Sequence, residues 1–297
     1  MTTIEDVILA QDRRGVAALR QYLPVSFCEA AARFLLQHTG TVLIATGFYV
    51  QRADAPETDG PPGALALGRA LAALGNRVAY VSDAYTAPLL ADLAPSGTET
   101  VDFPIADDAA SREVARDLLD RIEPTALIAI ERCALTRSGT YLNMRGQDIS
   151  THTARLDHLF RQHPHSVGIG DGGNEIGMGN LAPCIPEVAT LPDEPAVTCT
   201  TRLVIASVAN WGAYGVLAAL SRLTGRNLLP RPVDESACIR RLVALGAVDG
   251  VTGVADCTVD SFTLSENTDV LERLNALLES EGIGWEGEAG HGGGTSR

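Results

Sequence analysis

The sequence predicts an α/β fold: a mostly parallel sheet flanked by helices on both faces, three layers deep (αβα), with further helices at the N-terminus. Two observations predict it. Apolar, β-rich runs alternate with amphipathic helical stretches along the chain, the pattern of strand–helix–strand crossovers. Those runs are also continuously apolar, as in strands covered on both faces, and do not alternate as half-exposed strands do.

Taken in order, residues 3–21 and 25–38 read as two helices, and TVLIAT (41–46) as a buried strand. ALALGRALAALG, with Pro61 and Pro62 at its start and Gly75 at its end, carries the asymmetry of a helix. RVAYVS (77–82) is a strand, TAPLLADL a helix, ETVDF (99–103) a strand and SREVARDLLDRI an amphipathic helix. TALIAIE (125–131) is the clearest strand, followed by a polar loop, a helix over DISTHTARLDHLFRQH and strand SVGIG (166–170). After a Gly-rich turn, strand RLVIAS (202–207) leads to helices over 213–224, 235–245 and 269–281. The uncharged stretch 203–220 reaches the lower length limit for a membrane span, but Asn210-Trp211-Gly212 splits it into a strand and a helix. No internal linker is visible, so residues 1–285 are expected to form one unit, with 286–297 a disordered, Gly-rich tail.

Composition narrows the chemistry. All 23 basic side chains are arginine, against 37 acids, for a net charge of −14. Without lysine there is no Walker phosphate loop, no kinase strand lysine and no pyridoxal Schiff base. The acidic balance argues against nucleic acid and fits a protein that holds cations. Six scattered cysteines with no CxxC pair, and an acidic start without an apolar core, predict a cytoplasmic protein with free thiols.

In parallel sheets the ligand sits beyond the carboxyl ends of the strands. There the chain places Glu57, Thr58, Asp59, Asp83, Glu131, Arg132, Asn143, Arg145, Asp148, Asp171, Gly172, Gly173, Asn174, Glu175, Asn210 and Trp211. Asp59, Asp83 and Asp148 are also positioned to cap the helices that follow them. Glu131 ends an apolar strand, where an unpaired carboxylate is costly, so it is expected to be functional. Arg132 and Arg145 are either partners of these acids or a clamp for a ligand carboxylate. GIGDGGNEIGMGN formally satisfies G-x-G-x-x-G after a strand, yet Asp171 stands where pyrophosphate would lie, so no nicotinamide cofactor is expected. Oxygen donors without histidine or cysteine favour magnesium or manganese over zinc.

On ETDGPPGALALGRALAALG (57–75), IERCALTRSGTYLNMRGQDIS (130–150), GIGDGGNEIGMGN (168–180), ANWGAYGVLAAL (209–220) and GAVDGVT (246–252) the chain resembles the D-glutamate cyclase family. One departure is Cys133-Ala134, where the family carries Pro-Gly after the Glu–Arg pair. The resemblance implies conversion of D-glutamate to 5-oxo-D-proline and water, aided by a divalent cation. On that reading Glu57 or Asp59 joins Asp171, Asn174 and Glu175 around the metal. Glu131 transfers protons, with Arg132, Arg145 and Asn143 beside it in the catalytic group. Thr58, Gly172, Gly173, Asn210 and Trp211 meet the substrate. The partner is then a small amino acid, with no nucleic acid and no membrane, and a homo-oligomer is compatible. A metal-dependent hydrolase of phosphate esters and a non-catalytic metabolite-binding protein are the alternatives.

Overall fold

The structure is a computed structural model and describes residues 2–285. The tail expected to be disordered lies outside the described residues. In chain order the elements are helices α1 (Ile4–Ile8) and α2 (Phe27–Gln37), strand β1 (Thr41–Thr46), and the short strands β2 (Tyr49–Val50) and β3 (Ala55–Pro56). Helix α3 (Pro61–Ala73), β4 (Arg77–Ser82), α4 (Ala87–Leu93), β5 (Glu99–Asp102), α5 (Asp108–Ile122) and β6 (Ala126–Ile130) follow. Then come α6 (Asp157–Gln162), β7 (Ser166–Gly170), β8 (Arg202–Ile205), α7 (Ala209–Thr224) and α8 (Pro232–Ala244). Short strands β9 (Thr258–Val259) and β10 (Phe262–Thr263) precede α9 (Leu264–Ser280).

Six strands form one sheet in the order β5-β4-β1-β6-β7-β8, and every pair is parallel. The chain winds outward from β1 to β5, then returns to β6 and winds the other way. The order therefore reverses between β1 and β6, and a crevice opens beyond their carboxyl ends. Helices α1, α2, α3 and α9 pack around α7 on one face. Right-handed crossovers set the paired α5 and α6 on the other. The predicted three-layer architecture is the observed one.

Three predicted elements differ, each for a local reason. The helix expected over 3–21 is only α1 followed by a 3-10 segment (Val16–Tyr22). Between them the Asp12 carboxylate accepts from the N–H groups of Arg14, Gly15 and Ala17 and holds a turn. The helix expected over 148–163 shrinks to α6 preceded by one 3-10 turn (Ser150–His152). The Ala154 carbonyl there is taken by the Arg132 guanidinium at 2.8 Å. Asn210-Trp211-Gly212, predicted to break the chain, is the first turn of α7. Thiols match expectation: all six cysteines are unpaired. Among the described residues no helix is long and apolar enough to cross a membrane.

One buried acid lies apart from the sheet ends. Glu235 of α8 is fully buried, takes the Tyr214 hydroxyl on one carboxylate oxygen and leaves the other without a hydrogen-bond partner among the described residues. Burial pushes its carboxyl up to about 7. The folded state then binds a proton that the unfolded chain has released, so this stabilisation is full below the unfolded value and lost as pH rises towards 7, about 3 kcal/mol in all. Chemical denaturation should show Glu235→Gln gaining on the wild type as pH climbs from 5 to 8. Parallel stability profiles would refute it.

Candidate active site: a carboxylate cluster at the switch point

The loops after β1, β6, β7 and β9 converge beyond the reversal point. Glu131 directly follows β6 in a left-handed conformation (φ 43) that turns its side chain back over the sheet edge. Gly60 lies against it: a methyl group there would stand 2.5 Å from Thr46 Oγ1 and 2.9 Å from Glu131 Cβ. Only glycine permits that approach, which brings the loop after β1 and the end of β6 together.

Asp59 and Asn210 form a reciprocal pair of caps. The Asp59 carboxylate accepts from the N–H groups of Ala209 and Asn210, at 2.9 and 2.8 Å, at the start of α7. Asn210 Oδ1 accepts from Gly60 and Gly63 N–H at the start of α3, at 3.1 and 2.8 Å. Asp59 therefore caps a helix, but α7 in place of the α3 expected from its position. Two helix N-termini and their partial positive charge face this end of the sheet.

The Gly-rich turn after β7 is organised by its own acid. Glu175 accepts from Asp171 N–H (3.1 Å), Gly172 N–H (2.6 Å) and Gly173 N–H (2.7 Å). These amides are spent internally, so the turn offers pyrophosphate no cradle of the dinucleotide kind. The turn pairs with the segment after β6: Ala134 N–H donates to Asn174 O and Ile176 N–H to Arg132 O, both at 2.8 Å. Neither bond uses the N–H of Cys133, so the bridge is independent of whether cysteine or proline stands there.

The result is a dense group of buried acids. Asp59, Asp171 and Asp260 carry oxygens within 4.8 Å of one another, as do Glu131, Asp171 and Glu175. Glu57 Oε1, Glu131 Oε2, Asp171 Oδ2, Asn174 Oδ1 and Asp260 Oδ2 are buried without a hydrogen-bond partner among the described residues. Burial first, then the neighbouring carboxylates, pushes the carboxyls of Glu57 and Glu131 well above their usual range. Burial does the same to Asp171 against the pull of Arg14, and brings Asp59 to about 7. Such a cluster is stable only with protons or cations among its oxygens. Its oxygen-only donor set, with unspent lone pairs, fits a hard divalent ion.

A cavity of about 180 Å³ opens above the cluster, lined by Glu57, Glu131 and Asn174 below and by Arg52, Asn143 and Arg145 at the rim. The Arg52 guanidinium donates to the carbonyls of Gly250 and Val251, tying the β2–β3 ribbon to the 250–251 loop. Asn143 Oδ1 accepts from Arg145 and Gln147 N–H and shapes the rim.

Not every predicted site residue faces this cavity. Arg132, 1% exposed, donates to Asp83 at 2.6 Å and to the carbonyls of Gly47 and Ala154. Asp83 is thereby an ion-pair partner. Thr58 is buried with its hydroxyl donating to Thr258 O at 2.7 Å, and the Trp211 indole donates to Asn267 Oδ1 at 2.8 Å. Both brace the site from behind. Gly172 and Gly173 contribute turn geometry, and Asp148 accepts from Ser150 N–H at 2.8 Å in an Asx turn ahead of the 3-10 segment, whose N-cap is Ile149.

Three residues that sequence reasoning missed complete the site. Arg14, on the Asp12 turn, pairs with Asp171 and, at 2.7 Å, with Asp260. Burial would favour its neutral form, but Asp171 and Asp260 outweigh it and hold the guanidinium charged. Asp260 has φ 50, and its loop is held by Asp249, which accepts from Val251, Thr252 and Ser261 N–H and the Thr258 hydroxyl. The doublet Asp260-Ser261 in left-handed conformation ends a hairpin that no Gly or Asn announces.

Residues 4–275 match the family profile described as D-glutamate cyclase-like, C-terminal. The human protein named D-glutamate cyclase, mitochondrial, is 30% identical over 288 residues, which span 82% of this chain and 46% of that protein. The chain thus spans about half the length of that relative. An exopolyphosphatase-related protein from Bacteroides fragilis aligns over 88% of this chain and 58% of its own, with 8% identity and a TM-score of 0.38, a likeness too low to carry any argument. With a profile match running from α1 into α9 and through every loop of the cluster, the chain belongs to the D-glutamate cyclase-like family.

Proposed function

We propose that the protein cyclises D-glutamate to 5-oxo-D-proline and water with a divalent cation, Mn²⁺ or Mg²⁺, held in the carboxylate cluster. The observation that carries the proposal is the polarity of one small cavity: unspent buried carboxylate oxygens on its floor, arginines on its rim. Its volume of about 180 Å³ lies below the range of drug-sized ligand sites and suits an amino acid.

Asp171 and Asn174, with Asp59, Glu175 or Glu57 completing the set, would hold the ion, and Asp260 adjoins them. When bound, the ion supplies Lewis-acid polarisation of the γ-carboxylate. The chain's residues do the rest. Arg145 at the rim takes the α-carboxylate and folds the substrate so that its amine meets the carbon of its own γ-carboxylate. Arg132, whose terminal nitrogens are taken by Asp83 and two carbonyls, is left out of this role. Glu131 accepts a proton from the ammonium and returns it to the departing oxygen. In balance, an N–C bond forms and a C–O bond breaks. Two protons pass from nitrogen to the leaving oxygen, which departs as water.

Purified protein supplied with Mn²⁺ or Mg²⁺ and separately with D- and L-glutamate tests this. 5-Oxoproline is expected from the D-enantiomer, and chelation should abolish it. No product from either enantiomer, or phosphate release from a generic ester instead, would overturn the reading.

A further inference from the structure

Arg14 stands on the wall between two cavities. One is the cavity above the carboxylate cluster. The other, about 220 Å³, is lined by Arg13, Arg14, Ser207, Asp260 and Phe262 among others. The Arg14 backbone is fixed, since Asp12 Oδ1 accepts its N–H at 2.9 Å and its carbonyl accepts the Thr190 hydroxyl at 2.5 Å. Its side chain bridges Asp171 and Asp260, two of the three acids whose oxygens lie within 4.8 Å of one another. A guanidinium and a divalent ion cannot share those oxygens without close like-charge contact.

The second cavity holds what a displaced guanidinium needs. Ser207 is 4% exposed, and its Oγ is buried without a hydrogen-bond partner among the described residues. Asp260 faces this cavity too, and its Oδ2 is likewise unpartnered. Arg13 stacks over the Phe262 ring at 3.6 Å and borders the same space. A rotation of the Arg14 side chain alone, with the backbone held, would exchange Asp171 for Ser207 while keeping the Asp260 pair.

We propose that Arg14 is a displaceable counter-ion: it occupies a cation position of the cluster in the metal-free protein and withdraws onto Ser207 and Asp260 when a divalent cation binds. The proposal rests on the metal reading above and adds that metal uptake works against this arginine. The N-terminal turn thereby becomes part of the metal switch.

Calorimetric titration of the full chain with Mn²⁺ alone tests it, for wild type, Arg14→Gln, Ser207→Ala and the double variant. Removing the competing cation should tighten Mn²⁺ binding roughly tenfold, a typical coupling between sites. Ser207→Ala should weaken binding several-fold in the wild-type background and leave it unchanged beside Arg14→Gln, the signature of a shared interaction. If Arg14→Gln does not fold, Arg14→Met, which likewise removes the charge and keeps much of the volume, combined with Ser207→Ala supplies the same cycle. Wild-type binding with Arg14→Gln unchanged or weaker would overturn the proposal and leave the metal reading standing. Absence of Mn²⁺ binding in every variant would overturn both.

Discussion

Glu131→Gln is expected to lower turnover by about 10²–10⁴-fold, the usual contribution of a positioned proton-transfer group, while Mn²⁺ affinity stays within a few-fold of wild type. The amide preserves shape and burial but cannot accept the ammonium proton. Burial and the neighbouring Glu175 and Glu57 carboxylates push the Glu131 carboxyl upward in the metal-free protein, and a divalent cation among those carboxylates would pull it back down. The acid limb of the pH–rate profile should accordingly move to lower pH as Mn²⁺ is raised to saturation, and should vanish in the variant along with the rate. Steady-state kinetics on D-glutamate, paired with a metal titration, checks both. Loss of metal affinity in parallel with activity would reassign Glu131 to metal binding. Full activity would remove it from the mechanism.

The environment that shapes this prediction was partly legible in the sequence. A carboxylate ending TALIAIE announces itself, because an apolar strand does not bury an acid without a use for it. The sheet's strands were legible for a related reason: both of their faces are covered, so apolarity runs unbroken and needs no tertiary information. The acids flanking the Gly-rich turn were visible as oxygen donors. What stayed hidden depends on distance in the chain. Asp59 caps α7 across 150 residues, so the start of that helix carries no capping side chain of its own and 210–212 looks like a break. Arg14 lies in a stretch whose periodicity reads as helix, and only the local bonds of Asp12 divert it. Asp260 follows a loop tied together by Asp249, without the Gly or Asn that usually marks a left-handed turn. Local sequence records which face of an element is apolar. It records poorly which distant group completes a polar one.

Arg132 shows the same limit, and its replacement gives the largest expected effect on stability. Beside Glu131 at a strand end, it reads either as a partner of the nearby acids or as a ligand clamp. Its guanidinium meets Asp83 at 2.6 Å, Gly47 O at 2.9 Å and Ala154 O at 2.8 Å, with 1% of its surface exposed. It thus ties the loop after β1, the end of β4 and the loop before α6 to the residue after β6. Arg132→Met keeps much of the volume but leaves the Asp83 carboxylate buried without its counter-charge and two carbonyls without donors. Breaking one side of a buried pair costs about 3–5 kcal/mol, a large share of the roughly 5–15 kcal/mol by which proteins are stable. Asp83→Asn combined with Arg132→Met should recover part of that loss, because no buried charge then remains unpaired. Chemical denaturation of the two single variants and the double variant measures the coupling. A substrate clamp predicts the opposite: wild-type stability with a raised KM for D-glutamate. Arg132→Lys separates the two readings further, since a single ammonium cannot reach the carboxylate and both carbonyls as the planar fork does, and its stability should fall between those of wild type and Arg132→Met.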